Sequence, residues 1–202
     1  LGETSDPVRR HRLVLLAQNR AGYGNLSAII TLARRRAEKG SYHLSSSDLA
    51  RGIPDCLALW VASPDASAET AHWLAAGFPA RCWIAFERHL QPGDVERLAA
   101  LRTLSSVTGL PLVACGDVHM HARSRRPLQD VLTALRLKTS VDRAGHALFP
   151  NGERHLRTRV RLARLYPRTL VKPTIRTIMV PRPAPATFGC QPLRDTELLS
   201  WA

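Results

Sequence analysis

The chain has 202 residues, 45% of them hydrophobic, with a net charge of +13. That is long enough and apolar enough for one folded domain, and it excludes a wholly disordered or collagen-like chain. Of the 29 basic residues only three are Lys, a balance that suits polyanionic partners such as nucleic acid; a GC-rich coding sequence gives the same arginine excess, so the charge alone does not assign a partner.

The four cysteines (Cys56, Cys82, Cys115, Cys190) have no CxxC spacing. Three of them lie in apolar runs, where Cys behaves as a small hydrophobe. No disulfide framework is implied, and a reducing cytoplasm fits. No apolar run reaches membrane-spanning length, and the polar start, without Met, is not a signal peptide.

In chain order, residues 1–10 read as an irregular N-terminus. His11 to Gln18 is a strand candidate, and Asn19 to Gly24 a turn-rich loop. Asn25 is then expected to cap a helix carrying Leu26, Ile29, Ile30 and Ala33. That helix runs into Arg34-Arg35-Arg36, cations that favour a helix C-terminus, and stops at Gly40. Ser45 to Arg51 reads as a short capped helix, Cys56 to Val61 as a second strand, and Ser67 as the cap of a helix through Gly77. His72, on that helix, is expected at the surface or core edge. Cys82 to Phe86 is a third strand, followed by Glu87-Arg88-His89. Pro92 opens a helix to about Val107, with Val95, Leu98, Ala99, Leu101, Arg102 and Leu104 as its stripe and Gly109 as its stop. Leu110 to Cys115 is a fourth strand, and Pro127 to about Leu137 a helix with Leu128, Val131, Leu132 and Leu135 apolar. Residues 140–154 read as a loop, and His155 to Tyr166 as a very basic helix. From Pro173 the periodicity ends in a Pro-rich tail. Four strand–helix repeats predict an α/β fold with parallel strands.

The chemistry is expected where two strands end. Asp117 and His119 follow the fourth strand, and residues two apart in extended chain face one way. Glu87 and His89 repeat that pattern after the third strand. Carboxylate and imidazole together suit Zn, Mn or Fe, and clustered ions of this kind can bind a phosphate ester and generate hydroxide. Asp117, His119, His89 and Glu87 are therefore the candidate metal ligands, with His119 first among them. A salt bridge with a nearby Arg explains Glu87 equally well, a loop histidine is the plain reading of His89, and His121 is expected outside the cluster. Arg123, Arg125 and Arg126 are candidate nucleic-acid contacts. There is no Gly-rich phosphate loop, G-x-S-x-G elbow or H-E-x-x-H motif, and an apolar strand raises the Cys115 thiol pKa, against a nucleophilic role.

Three long segments carry a resemblance: LVLLAQNRAGYGNLSAIITLARRRAEKGSYHL, GLPLVACGDVHMHARSRRPLQDVLTALRLKTSVDRAG and LFPNGERHLRTRVRLARLYP. Over roughly residues 11–168 the chain resembles the PHP (polymerase-and-histidinol-phosphatase) domain of the bacterial error-prone, C-family DNA polymerases. The resemblance implies a distorted (β/α)7 barrel with a metal cluster at the C-terminal ends of its strands. Asp117 and His119 match the last ligand motif of that family, and Glu87 and His89 fall near an earlier one. Asn19 to Asn25 matches a signature loop, read as structural.

The family opens with a His-x-His strand and a Thr-Asp-containing strand, and continues into polymerase palm, fingers and thumb; this sequence contains neither part. The expectation is an incomplete PHP-type barrel over residues 11–150 lacking its first strands, a basic helical segment over 151–170, and an irregular tail over 171–202. The chain is then a truncated product with about half the ligands, binding Zn or Mn weakly and unable to polymerise DNA. Three roles follow: structural domain of a damage-tolerant DNA polymerase, metal-dependent phosphoesterase or 3′-5′ exonuclease-like site, and non-enzymatic scaffold for DNA or partner polymerase subunits. For the isolated chain the scaffold is favoured over the phosphoesterase.

Overall fold

The fold is that of a computed structural model, which describes residues 12–166. The readings for residues 1–10 and 171–202, and Cys190, lie outside the described residues. The chain divides into two compact units: residues up to Phe86 together with Val95–Val113, and Glu87–Asp94 together with residues from Ala114 onward.

The first unit is built on a four-stranded sheet in the order β1-β2-β3-β4. Its strands are β1 (Arg12–Ala17), β2 (Cys56–Val61), β3 (Cys82–Glu87) and β4 (Leu112–Cys115). Strands β2 and β3 pair in parallel, as their continuous apolar runs predict. Strand β1 instead pairs antiparallel to β2, Arg12 opposite Val61 and Ala17 opposite Cys56, which corrects the all-parallel reading. Apolar runs reveal strands but not their direction. The burial differs accordingly: β1 is nowhere fully buried, whereas every residue of β3 is. Trp60, Phe78, Ile84, Phe86 and Val113 are the large side chains sealed in this core. The Cys82 thiol lies among them, and burial raises its pKa to about 11, so it packs as a hydrophobe.

Helix α1 (Arg20–Arg35) starts earlier than expected. Asn19, not Asn25, is the cap: its side chain accepts from the Gly22 amide at 2.8 Å. Asn25 instead donates to the Pro54 carbonyl at 3.0 Å, and Asn19 Nδ2 to Asp55 at 3.1 Å. Glycine at position 22 is a matter of space, since a Cβ there would lie 2.1 Å from the Asp55 carbonyl oxygen. The contact between α1 and residues 54–55 outweighs the low helix propensity of Gly22 and Gly24. Helix α2 (Ser46–Leu49) carries a capping box in which Asp48 accepts from the Ser45 amide. Helix α3 (Ala68–Gly77) is capped by Ser67 as expected and leaves His72 exposed. Helix α4 (Asp94–Thr108) buries only Leu101 of its expected stripe, and Val95 is 72% exposed.

The second unit contains helix α5 (Arg126–Arg136), preceded by a 3-10 turn over Arg123–Arg125. The expected loop holds a short helix, α6 (Val141–Ala144), and the basic helix is shorter than its periodicity suggested, α7 (Arg159–Leu165). Instead of a helix, His155 makes a single parallel bridge with Met120, with the amides of His119 and Met120 donating to the Arg154 carbonyl and that of Leu156 to Met120.

Candidate functional site

The second unit gathers the residues that leave β3 and β4. Glu87 ends β3 and is 5% exposed; His89, two residues on, is 4% exposed. Asp117 follows β4 in a left-handed conformation, φ 42°, which Asp tolerates better than most residues. One donor atom each from Glu87, His89 and Asp117 lie within 4.8 Å of one another. His119 joins this group through Asp117, its Nε2 3.5 Å from the carboxylate, while its 39%-exposed side chain lies against Phe149 with ring centroids 4.8 Å apart. His121 is exposed.

His89 is held through its ring and through its backbone. Its Nε2 is 3.2 Å from the Gly116 carbonyl, and Asn151 donates to its backbone carbonyl at 2.7 Å. A carbonyl only accepts, so Nε2 carries a proton and Nδ1 carries the lone pair of the neutral ring. Burial depresses the His89 pKa, with the Arg154 charge acting in the same direction; the Gly116 bond and Glu87 pull against them.

Arg154 is the residue that the motifs do not reveal. Its guanidinium is ion-paired with Asp117 and lies over the Phe149 ring, 4.5 Å from the centroid. Arg157, with a side chain only 1% exposed, bonds Glu153 at 3.0 Å, and Arg123 pairs with the same carboxylate. Tyr166 closes the arrangement: its hydroxyl accepts from the Arg88 amide at 3.0 Å and donates to the Cys115 carbonyl. One phenol thus bonds the backbone between Glu87 and His89 and the backbone two residues before Asp117. A faint signal existed in the tripeptide Glu-Arg-His, which occurs at 87–89 and again at 153–155. Spacing does not show that the two copies meet.

Of the three candidate nucleic-acid contacts, Arg123 is tied to Glu153 and Arg126 donates to the Phe149 carbonyl at 2.8 Å. Arg125 is exposed.

Two carboxylates and a neutral imidazole are a fitting donor set for Zn or Mn. Donors to one tetrahedral ion bound at about 2.0–2.2 Å stand about 3.3–3.6 Å apart, so a group held within 4.8 Å must draw together to close on an ion. The set fits one ion in the kind of donors it offers. Arg154 competes for it, because the guanidinium engages Asp117 and brings like charge against a dication.

No family model matches the chain. Among curated proteins, the error-prone DNA polymerase of Dechloromonas aromatica (strain RCB) is 61% identical over 169 residues, 81% of this chain and 16% of the relative. That of Azoarcus sp. (strain BH72) is 57% identical over 170 residues, and that of Methylococcus capsulatus (strain ATCC 33009 / NCIMB 11132 / Bath) 54% over 166, covering 82% of this chain and 16% of the relative in each case. The chain is homologous to one stretch of the error-prone DNA polymerases. It spans about one sixth of the length of these error-prone DNA polymerases. Among the described residues no helix is long and apolar enough to cross a membrane.

Proposed function

We propose that the chain is a PHP-type domain of an error-prone DNA polymerase and serves there as a non-hydrolytic structural module. In that setting DNA and other replication or repair subunits are its partners, the bacterial cytoplasm its compartment, and DNA synthesis the work of the longer enzyme. The observation that carries the structural reading is the ion pair between Arg154 and Asp117. It supplies, from within the chain, the positive charge that a carboxylate–imidazole cluster otherwise takes from a metal. Glu153, Arg157, Arg123 and Tyr166 extend the same network, which supports a cohesive polar core.

The second reading is a metal-dependent phosphoesterase or 3′-5′ exonuclease-like site. It rests on the mutual closeness of the Glu87, His89 and Asp117 donor atoms. On that reading these three residues hold the ion, which supplies Lewis acidity when bound. Glu87 and Asp117 offer oxygens and His89 a ring nitrogen, and burial, by lowering the imidazole pKa, favours the neutral form that a metal binds.

Metal uptake separates the two. The purified chain, folded by circular dichroism, is dialysed against micromolar Zn or Mn and its metal content measured. Substoichiometric uptake is expected, rising in Arg154→Ala. One tightly held equivalent in the unaltered chain, removed by Glu87→Gln, overturns the structural reading in favour of the second.

A further inference from the structure

Helix α5 faces the wrong way for its pattern. Leu128, Val131, Leu132 and Leu135 stand at i, i+3, i+4 and i+7, the spacing of a stripe made to be covered. Yet they are 53%, 44%, 53% and 67% exposed. The residues buried on α5 are Thr133 and Ala134. On the same side Asp130 faces Arg126, 3.6 Å away, and both are only partly exposed. Just past the helix, Leu137 adds to the outward apolar surface at 46% exposure.

The one charged border of this stripe is cationic. Arg136 lies four residues after Leu132 and Arg125 three before Leu128, which places both on one flank. Lys138 follows at the end of the helix, and all three are exposed. The one acidic side chain of α5, Asp130, is turned to the packed side.

We propose that the outward face of α5 is a docking strip for an amphipathic helix of a partner protein whose apolar face is bordered by Asp and Glu. The four side chains cover two helical turns, roughly 10 Å, which is the reach of helix-in-groove recognition through i, i+3, i+4 and i+7 anchors. Charge selects the occupant. A second copy of this chain would bring Arg125, Arg136 and Lys138 against their own kind, on a chain that already carries +13. A membrane-surface helix keeps its cationic face opposite the apolar one, whereas here the opposite face carries Thr133 and Ala134 and is buried in protein.

The test uses the 202-residue chain and a fluorescent synthetic helix with Leu at i, i+3, i+4 and i+7 and Glu on both borders, beside a twin with Lys on the borders. Fluorescence anisotropy should show saturable binding of the Glu peptide at micromolar concentration and a much weaker response to the twin. Leu132→Asp should weaken the Glu peptide by about tenfold or more. Arg136→Glu should weaken the Glu peptide and strengthen the Lys twin, a reversal that loss of folding would not produce. Equal affinity for the two peptides, or binding of neither, overturns the proposal. So does a dimer by light scattering that Leu132→Asp converts to monomer, or a preference for anionic phosphatidylserine vesicles over both peptides.

Discussion

The guanidinium of Arg154 is ion-paired with the carboxylate of Asp117, 37 residues earlier in the chain. The pair joins a residue that follows β4 to one in the 150–157 segment, and its partners retain 17% and 18% side-chain exposure. Removing the cation leaves Asp117 and the buried Glu87 close together with less compensation. Arg154→Ala should therefore cost about 2 kcal/mol, less than the 3–5 kcal/mol of a fully buried pair because water reaches both groups. Urea denaturation measures the cost. A loss below about 0.5 kcal/mol would mean that the pair behaves as a surface contact.

The depressed pKa of His89 makes stability depend on pH. The folded imidazole resists protonation, whereas the unfolded one takes its proton near the ordinary value of about 6.5. Between the lowered folded value and about 6.5 the unfolded chain binds more protons, so stability rises with pH across that window and levels off above it. The urea midpoint should fall as pH drops from 7 toward 5. His89→Gln should flatten that limb of the profile, and an unchanged slope would assign it to other groups.

Tyr166→Phe removes a hydroxyl that accepts from the Arg88 amide and donates to the Cys115 carbonyl. Two backbone groups are left without this partner, at a cost of about 1–3 kcal/mol. Amide exchange at Arg88 should accelerate in the variant. Retained protection there would show that the hydroxyl does not hold that loop.

Gly22→Ala places a methyl 2.1 Å from the Asp55 carbonyl oxygen, a backbone atom that cannot swing away. Helix α1 must shift, and the Asn19 cap and the 3.4 Å contact from the Cys56 thiol to the Gly22 carbonyl are disturbed with it. A loss of at least about 2 kcal/mol is expected in thermal melts. Gly24→Ala, with open space around it, should be neutral or stabilising and serves as the control.

If the domain is a structural module, its residues should work within a relative. Placing this chain in the matching stretch of the Dechloromonas aromatica error-prone DNA polymerase should preserve DNA synthesis, and Glu87→Gln should leave the rate within about twofold if no hydrolytic step depends on it. A large loss with a folded chimera would assign Glu87 a role in the reaction.

Much of this molecule is legible in residue order alone. Continuous apolar runs locate β2, β3 and β4, because a strand buried on both faces has no reason to alternate. Ser67 marks the start of α3, because a hydroxyl at that position takes up an otherwise unpartnered helix amide. The acid and imidazole pairs 87/89 and 117/119 are each visible because residues two apart at a strand end face one way; that Asp117 meets Glu87 and His89 depends on how the chain folds between them. Composition, periodicity and short-range spacing are local properties, and they determine these elements.

Tertiary structure decided the rest. The antiparallel pairing of β1, the contact of α1 with Pro54 and Asp55, the engagement of Asp117 by Arg154 and the bridge made by Tyr166 each depend on residues far apart in the chain. The α5 stripe is the clearest case: its spacing announces a face to be covered, but which face meets the protein depends on the neighbours of the helix, and here that is the side of Thr133 and Ala134. Hydrophobic periodicity records that an apolar face exists; only packing determines what lies against it.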